Sequence, residues 1–213
     1  MLAALGALQQ NPAASLGGNG VDRRSFLRRG LQDLVRGLAG AVEQASLEAG
    51  RRLTGGGSYL RPPGALPEPA FLLACTRCRK CLEACGPGAI RLLGPEAGAA
   101  MGTPYIDPLG QPCTLCLECT RVCPEGALEA LADPRRARMG TAVLEAARCW
   151  AHRGLVCDLC YARCPFPEEA IRMEGGVPSI RPEACTGCGQ CVYVCPESPP
   201  AIRIVPAGAP GEA

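Results

Sequence analysis

The sixteen cysteines of this 213-residue chain fall into four groups of four. Three groups share the spacing C-x2-C-x2-C-x3-C: Cys75, Cys78, Cys81 and Cys85; Cys113, Cys116, Cys119 and Cys123; and Cys185, Cys188, Cys191 and Cys195. The remaining group, Cys149, Cys157, Cys160 and Cys164, differs only in its longer first gap. Proline follows Cys123, Cys164 and Cys195 directly, as Pro124, Pro165 and Pro196, while Cys85 is followed by Gly86 and Pro87. No cysteine is left over, so any fold this chain adopts must be arranged around four sulfur-rich centres.

Three thiolates spaced about three residues apart can wrap three irons of one cubane, while the fourth is carried away to the cluster of a partner motif. Proline after that fourth cysteine has a fixed φ and no N–H, which ends local pairing and sets the exit angle of the chain. Four such motifs predict four 4Fe-4S clusters in two interlocked pairs, with all sixteen cysteines as ligands. Zinc sites use C-x2-C pairs set about 12 to 20 residues apart and close with four ligands, whereas here three groups pack four cysteines into eleven residues. Disulfide frameworks belong mainly to short secreted chains, and a thioredoxin-like pair needs a single C-x-x-C.

Two pairings satisfy the spacing. In the sequential one, Cys123 joins Cys75, Cys78 and Cys81, Cys85 joins Cys113, Cys116 and Cys119, Cys195 joins Cys149, Cys157 and Cys160, and Cys164 joins Cys185, Cys188 and Cys191. In the nested one, the first motif pairs with the fourth and the second with the third. Loop-closure entropy favours the nearer partner and hence the sequential arrangement. A hairpin-like link over 127–146 would suit the nested one.

Eight aromatic residues alongside 27 Gly and 21 Pro are too few for a conventional core of this length. Clusters would then fill the interior and supply folding free energy, leaving the apo chain largely unfolded. The formal charge of +2 counts cysteine as neutral. Each loaded cluster contributes roughly −2, which takes the holoprotein to about −6. With no basic stripe interleaved with aromatics, the chain is read as binding no nucleic acid. No G-x-G-x-x-G loop after a strand, P-loop or acid/base cluster marks an enzyme, and no catalytic residue is assigned. The lone histidine, His152, is expected at the surface.

The spacing of Phe26, Leu27, Leu31, Leu34, Val35, Leu38, Val42 and Leu47 predicts an amphipathic helix over 25–54, capped by Ser25. Gly55-Gly56-Gly57 break it, and Pro62, Pro63, Pro67 and Pro69 read as a stiff extended lead, with globular packing starting near Phe71. Gly175-Gly176 between short apolar flanks predicts a hairpin over 170–180, a longer hairpin is expected over 90–106, and 201–205 can close a sheet edge. The predicted fold class is α+β: two tandem bacterial dicluster-ferredoxin-like units, 58–138 and 139–206, between a leader, 1–57, and a tail, 207–213. No run of 18 apolar residues spans a bilayer, although the apolar helix face could lie at a membrane surface.

Outside the cysteines, Leu60-Arg61-Pro62-Pro63-Gly64-Ala65, Gly102-Thr103-Pro104-Tyr105, and the run from Ala137 to Leu144 (Ala-Arg-Met-Gly-Thr-Ala-Val-Leu) precede the first three motifs. Gly154-Leu155-Val156-Cys157-Asp158-Leu159-Cys160-Tyr161 and Ala184-Cys185-Thr186-Gly187-Cys188-Gly189 follow. Through these segments the chain resembles the NapG/MauM group of ferredoxin-type proteins, which accompany periplasmic nitrate reductase and methylamine utilisation systems. The resemblance implies an electron carrier, not an enzyme, passing electrons from a quinol-oxidising membrane protein to a downstream cytochrome or molybdoenzyme. The alternative is an iron-sulfur subunit or assembly factor of a larger oxidoreductase. Arg23-Arg24-Ser25-Phe26-Leu27-Arg28 looks like a twin-arginine export motif, but Asp33, Arg36, Glu43 and Glu48 interrupt the apolar run an export signal needs. The expected location is therefore the cytoplasm or the cytoplasmic membrane face, with the periplasm as the alternative.

Overall fold

Ligand loops this closely spaced leave room only for short elements between them, and the computed structural model, which describes residues 59–209, shows such elements. The expected helix over 25–54 and the Arg23-Arg24 segment lie outside the described residues. The longest helix among the described residues, α1, is Glu68–Ala74 and leads into the first motif. Pro67 caps it and Pro69 falls in its first turn, where a missing N–H costs nothing. Each motif then places its third cysteine in one turn of helix: Cys81 in α2 (Lys80–Glu83), Cys119 in α3 (Glu118–Arg121), Cys160 in α4 (Leu159–Arg163) and Cys191 in α5 (Gln190–Tyr193).

Three antiparallel two-stranded ladders tie the motifs together. Strands β1 (Ile90–Leu92) and β2 (Pro104–Ile106) pair with Ile90 opposite Ile106, as the expected longer hairpin. Strands β4 (Ile171–Glu174) and β5 (Val177–Ile180) pair across Gly175-Gly176, both at positive φ (61° and 84°), the two-residue turn that suits the twist of a hairpin. The third ladder joins β3 (Gly140–Leu144) to β6 (Ile202–Pro206), so the segment at the chain's end does close a sheet edge.

The expected hairpin-like link over 127–146 does not form. Its second half is β3, whose partner is β6, and its middle is a 3₁₀ turn, Pro134–Arg136, that cannot continue a ladder. Its first half instead returns to the start of the described chain: Leu66 N–H donates to the Ala127 carbonyl at 3.1 Å and Glu129 N–H to the Gly64 carbonyl at 2.7 Å. Gly64 (φ 73°) must be glycine here, since a Cβ would stand 2.2 Å from the Glu129 carbonyl oxygen.

Packing also begins earlier than Phe71. Leu60, Pro62 and Pro63 are buried in the core, and Ile106 N–H donates to the Leu60 carbonyl at 2.8 Å. Arg61 is the hub of this segment and only 6% exposed. Its guanidinium pairs with Glu68 of α1 (2.9 Å from Nε), donates to Thr103 Oγ1 (2.8 Å) and to the Pro104 carbonyl (2.7 Å), and lies over the Phe71 ring at 4.6 Å. Three elements thus converge on one cation whose planar fork lysine cannot reproduce. Arg61→Lys is expected to lower the stability of the cluster-loaded protein by about 1 to 3 kcal/mol, seen as a lower thermal midpoint for loss of visible cluster absorbance. An unchanged midpoint would show that the fork carries no stability.

Candidate metal centres

Around the second cysteine of three motifs the backbone turns left-handed on both sides. Arg77 and Arg79 flank Cys78 at φ 57° and 65°, Leu115 and Leu117 flank Cys116 at 60° and 63°, and Gly187 and Gly189 flank Cys188 at 72° and 81°. This repeated αL pair curls each loop around a point, so that its thiols face inward. Non-glycine residues pay about 1 kcal/mol or more for that conformation. Motif three lacks it: its longer first gap instead runs through Gly154 (φ 85°) and leaves Trp150, Leu155 and Val156 exposed. His152 is exposed on the same loop.

Four cavities result, each bordered by four cysteines. Cys75, Cys78 and Cys81 share theirs with Cys123, and Cys113, Cys116 and Cys119 share theirs with Cys85. Cys149, Cys157 and Cys160 share theirs with Cys195, and Cys185, Cys188 and Cys191 with Cys164. Every sulfur thus falls in one set of four, with the fourth cysteine of each motif exchanged between the first and second motifs or between the third and fourth. The cavities are walled by apolar groups such as Phe71 and Leu128, Ile90 and Ile106, Ile171 and Ile204, and Leu144 and Ile202.

Backbone N–H groups point at the sulfurs. Ala89 donates to Cys85 Sγ (3.3 Å), Leu115 to Cys113 (3.3 Å), Leu128 to Cys123 (3.4 Å), Ala142 to Cys185 (3.4 Å) and Ala201 to Cys195 (3.3 Å). Such donors stabilise negative charge on sulfur and are one of the levers on cluster potential. Burial opposes them. It pushes the Cys113 and Cys119 thiols up to about 12 and those of Cys81, Cys160 and Cys164 to about 11, with charge on neighbouring cysteines adding to the shift. Cys191 is raised well above 9 for the same reason. Without bound cations these sulfurs would be neutral at pH 7, so they become ligands only by releasing protons to the metal's charge. Apolar cavities bordered by four cysteines, with N–H donors on several of the sulfurs, suit iron-sulfur cubanes, whose ligands are cysteine thiolates.

The two halves of the cysteine array meet at one junction. Cys113 N–H donates to the Cys188 carbonyl (3.0 Å), and the buried Gln190 side chain donates to the Cys113 carbonyl (2.9 Å) while accepting from Arg163 (3.0 Å). Motif four also presses on β3: Met139 N–H donates to the Thr186 carbonyl, and a Cβ on Gly187 would stand 2.5 Å from Gly140 N. Neither Arg61 nor the Gln190 junction was singled out from sequence. The glycines of Cys-Thr-Gly-Cys-Gly were the one local sign of close packing there.

Comparison with known proteins agrees with this geometry. A family model described as a 4Fe-4S dicluster domain matches residues 74–127 and again 112–167, and a second of the same description matches 141–196. The chain is 39% identical to the ferredoxin-type protein NapG of Escherichia coli (strain K12) over 197 residues, covering 84% of this chain and 85% of the relative. It is 36% identical to the methylamine utilization ferredoxin-type protein MauM of Methylorubrum extorquens over 197 residues (86% and 89%). It is 44% identical to MauM of Methylophilus methylotrophus over 161 residues (70% and 71%). No solved structure matches.

The close approach at motif four has a direct test. Gly187→Ala is expected to cost about 2 to 4 kcal/mol, from overpacking plus a left-handed non-glycine residue. Gly208→Ala, at φ 74° with nothing within 4 Å, should cost only about 1 kcal/mol. Equal thermal midpoints for the two variants would contradict the packing argument.

Proposed function

As the chain belongs to the NapG and MauM family of ferredoxin-type proteins, we propose that its sixteen cysteines hold its clusters in two crossed pairs, one in 58–138 and one in 139–206. The protein is an iron-sulfur electron-transfer protein carrying four 4Fe-4S clusters. The observation that supports the crossed assignment is the company each fourth cysteine keeps: Cys123 and Cys195 border the cavities of the motif before their own, and Cys85 and Cys164 those of the motif after. The overlapping family matches cover the second motif with both the first and the third, so they do not choose between pairings; the cavities favour the sequential one.

The clusters supply one-electron chemistry, and the residues of this chain do the rest. The thiols bind, the N–H donors set the charge each sulfur tolerates, and the apolar walls keep water from the irons. A carrier of this kind has no substrate site of its own and works between redox proteins. In this reading the donor is a quinol-oxidising membrane protein and the acceptor a cytochrome or a molybdoenzyme. Among the described residues no helix is long and apolar enough to cross a membrane, so the donor brings the membrane contact or the leader does.

Anaerobically purified protein is expected to bind about sixteen irons and sixteen sulfides per chain and to bleach on reduction. Stoichiometric zinc with little sulfide would refute the cluster reading. Cys195→Ser is expected to damage the cluster of Cys149, Cys157 and Cys160 and to spare that of Cys75, Cys78 and Cys81. Resonances of the reduced clusters, compared with those of Cys75→Ser, separate the cases: if Cys195→Ser and Cys75→Ser lose the same signal, Cys195 belongs to the cluster of the first motif and the sequential pairs are wrong.

A further inference from the structure

The four ligand loops share a backbone plan but not a charge plan. In the first, Arg77, Arg79 and Lys80 surround Cys78, and all four residues are exposed. Arg77 and Arg79 also border the cavity that Cys78 shares with Cys75, Cys81 and Cys123. At the corresponding places the second loop has Leu115, Leu117 and Glu118, and the fourth has Gly187, Gly189 and Gln190.

Four arginines near the other motifs have carboxylate partners, Arg121 with Glu118 (2.6 Å), Arg148 with Glu145 (3.8 Å), Arg153 with Glu197 (4.0 Å) and Arg181 with Glu183 (3.1 Å), while Arg163 donates to Gln190 and Arg138 to the Cys185 carbonyl. The cations of the first loop have none among the described residues. Arg77 is anchored only to backbone oxygens, at Met101 (2.9 Å), Ala99 (2.9 Å) and Cys75 (3.4 Å), which fixes its charge at the rim without neutralising it. The Arg79 and Lys80 side chains make no hydrogen bond or ion pair among the described residues, although Glu83 is three residues from Lys80 and Glu125 borders the same cavity. Arg79 moreover stays at φ 65°, where the fourth loop uses glycine. An exposed arginine held in that conformation with no hydrogen bond or ion pair among the described residues is not explained by stability.

We propose that the rim of Arg77, Arg79 and Lys80 around Cys78 is the face on which an acidic redox protein docks to exchange electrons. This rests on the electron-transfer function and adds to it the place of exchange and the chemistry of the partner. A loaded cluster contributes roughly −2 and Glu125 on the same cavity one more negative charge, which the three cations together offset, so the rim is a part of an otherwise acidic molecule that an acidic partner can approach without net repulsion. Cys78, itself exposed, leaves little protein between the docked partner and the cluster. The step is the passage of one electron: the donor is oxidised by one unit and the acceptor reduced by one, with no bond made or broken.

The test uses the full-length, cluster-loaded protein and its Arg79→Glu/Lys80→Glu variant, whose altered side chains have no hydrogen bond or ion pair among the described residues to lose. Reduced flavodoxin serves as an acidic donor and oxidised cytochrome c as a basic acceptor, followed by stopped flow at low ionic strength. Charge reversal is expected to slow electron transfer from flavodoxin at least about tenfold and to speed transfer to cytochrome c, with both differences collapsing at high salt. Equal flavodoxin rates for the two proteins would overturn the proposal. So would sedimentation of the wild type, but not the variant, with phosphatidylglycerol vesicles, which would assign the rim to a lipid surface. A preparation without reducible clusters would instead sink the electron-transfer reading.

Discussion

Burial of sulfur is the constraint on which this fold turns. Cys113, Cys119, Cys149, Cys188 and Cys191 are buried, and desolvation, with charge on neighbouring cysteines adding to it, drives several of these thiols far from ionising at neutral pH. A neutral thiol is a weak hydrogen-bonding group that packs as a small hydrophobe, so a sulfur-rich interior without metal has little to hold it. In the proposed assignment iron charge would reverse the situation, holding the sulfurs as anions, five of which the backbone N–H donors are placed to stabilise. The apolar side chains around the cavities do less of the stabilising than in a conventional domain, which is why so few aromatics suffice.

The exchange of fourth cysteines makes each pair of motifs cooperative. Cys85 and Cys123 each join a cavity formed mainly by the other motif, so neither cluster can be enclosed until both loops are in place. The same holds for Cys164 and Cys195. The ladders reinforce this. β1–β2 spans the connection between motifs one and two, β4–β5 that between three and four, and β3–β6 draws the chain leaving motif four back to the strand entering motif three.

Features with a local cause were legible in the sequence. Cysteine spacing announced the centres, and Gly175-Gly176 announced its hairpin, because two consecutive residues at positive φ are a nearly unambiguous glycine signal. What escaped depends on partners distant along the chain. Leu60 to Pro63 reads as an extended linker until Glu68, Thr103 and Pro104 close on Arg61, and those contacts leave no periodic trace. The segment over 127–146 has the composition of a hairpin, yet β3 pairs with β6 some 60 residues away because Gly140 lets the Val205 carbonyl approach to a distance that a Cβ would forbid. Gln190 occupies a position that any polar residue could fill in sequence terms. Only the proximity of Cys113 and Arg163 makes its two-ended amide the fitting choice.

That junction gives the array its order. Two crossed pairs could be strung together at any edge, but the Cys113–Cys188 hydrogen bond brings the cavity of Cys85, Cys113, Cys116 and Cys119 against that of Cys164, Cys185, Cys188 and Cys191. The cavities of Cys75 and of Cys149 are bordered by none of the junction residues Cys113, Cys188 and Gln190, although α4, which carries Cys160, reaches the junction through Arg163. They are also dressed differently. Unpaired cations surround one, while the longer third-motif gap surrounds the other with Trp150, Leu155 and Val156. A carrier with two chemically distinct ends can discriminate donor from acceptor by surface alone, without requiring that its clusters differ in kind.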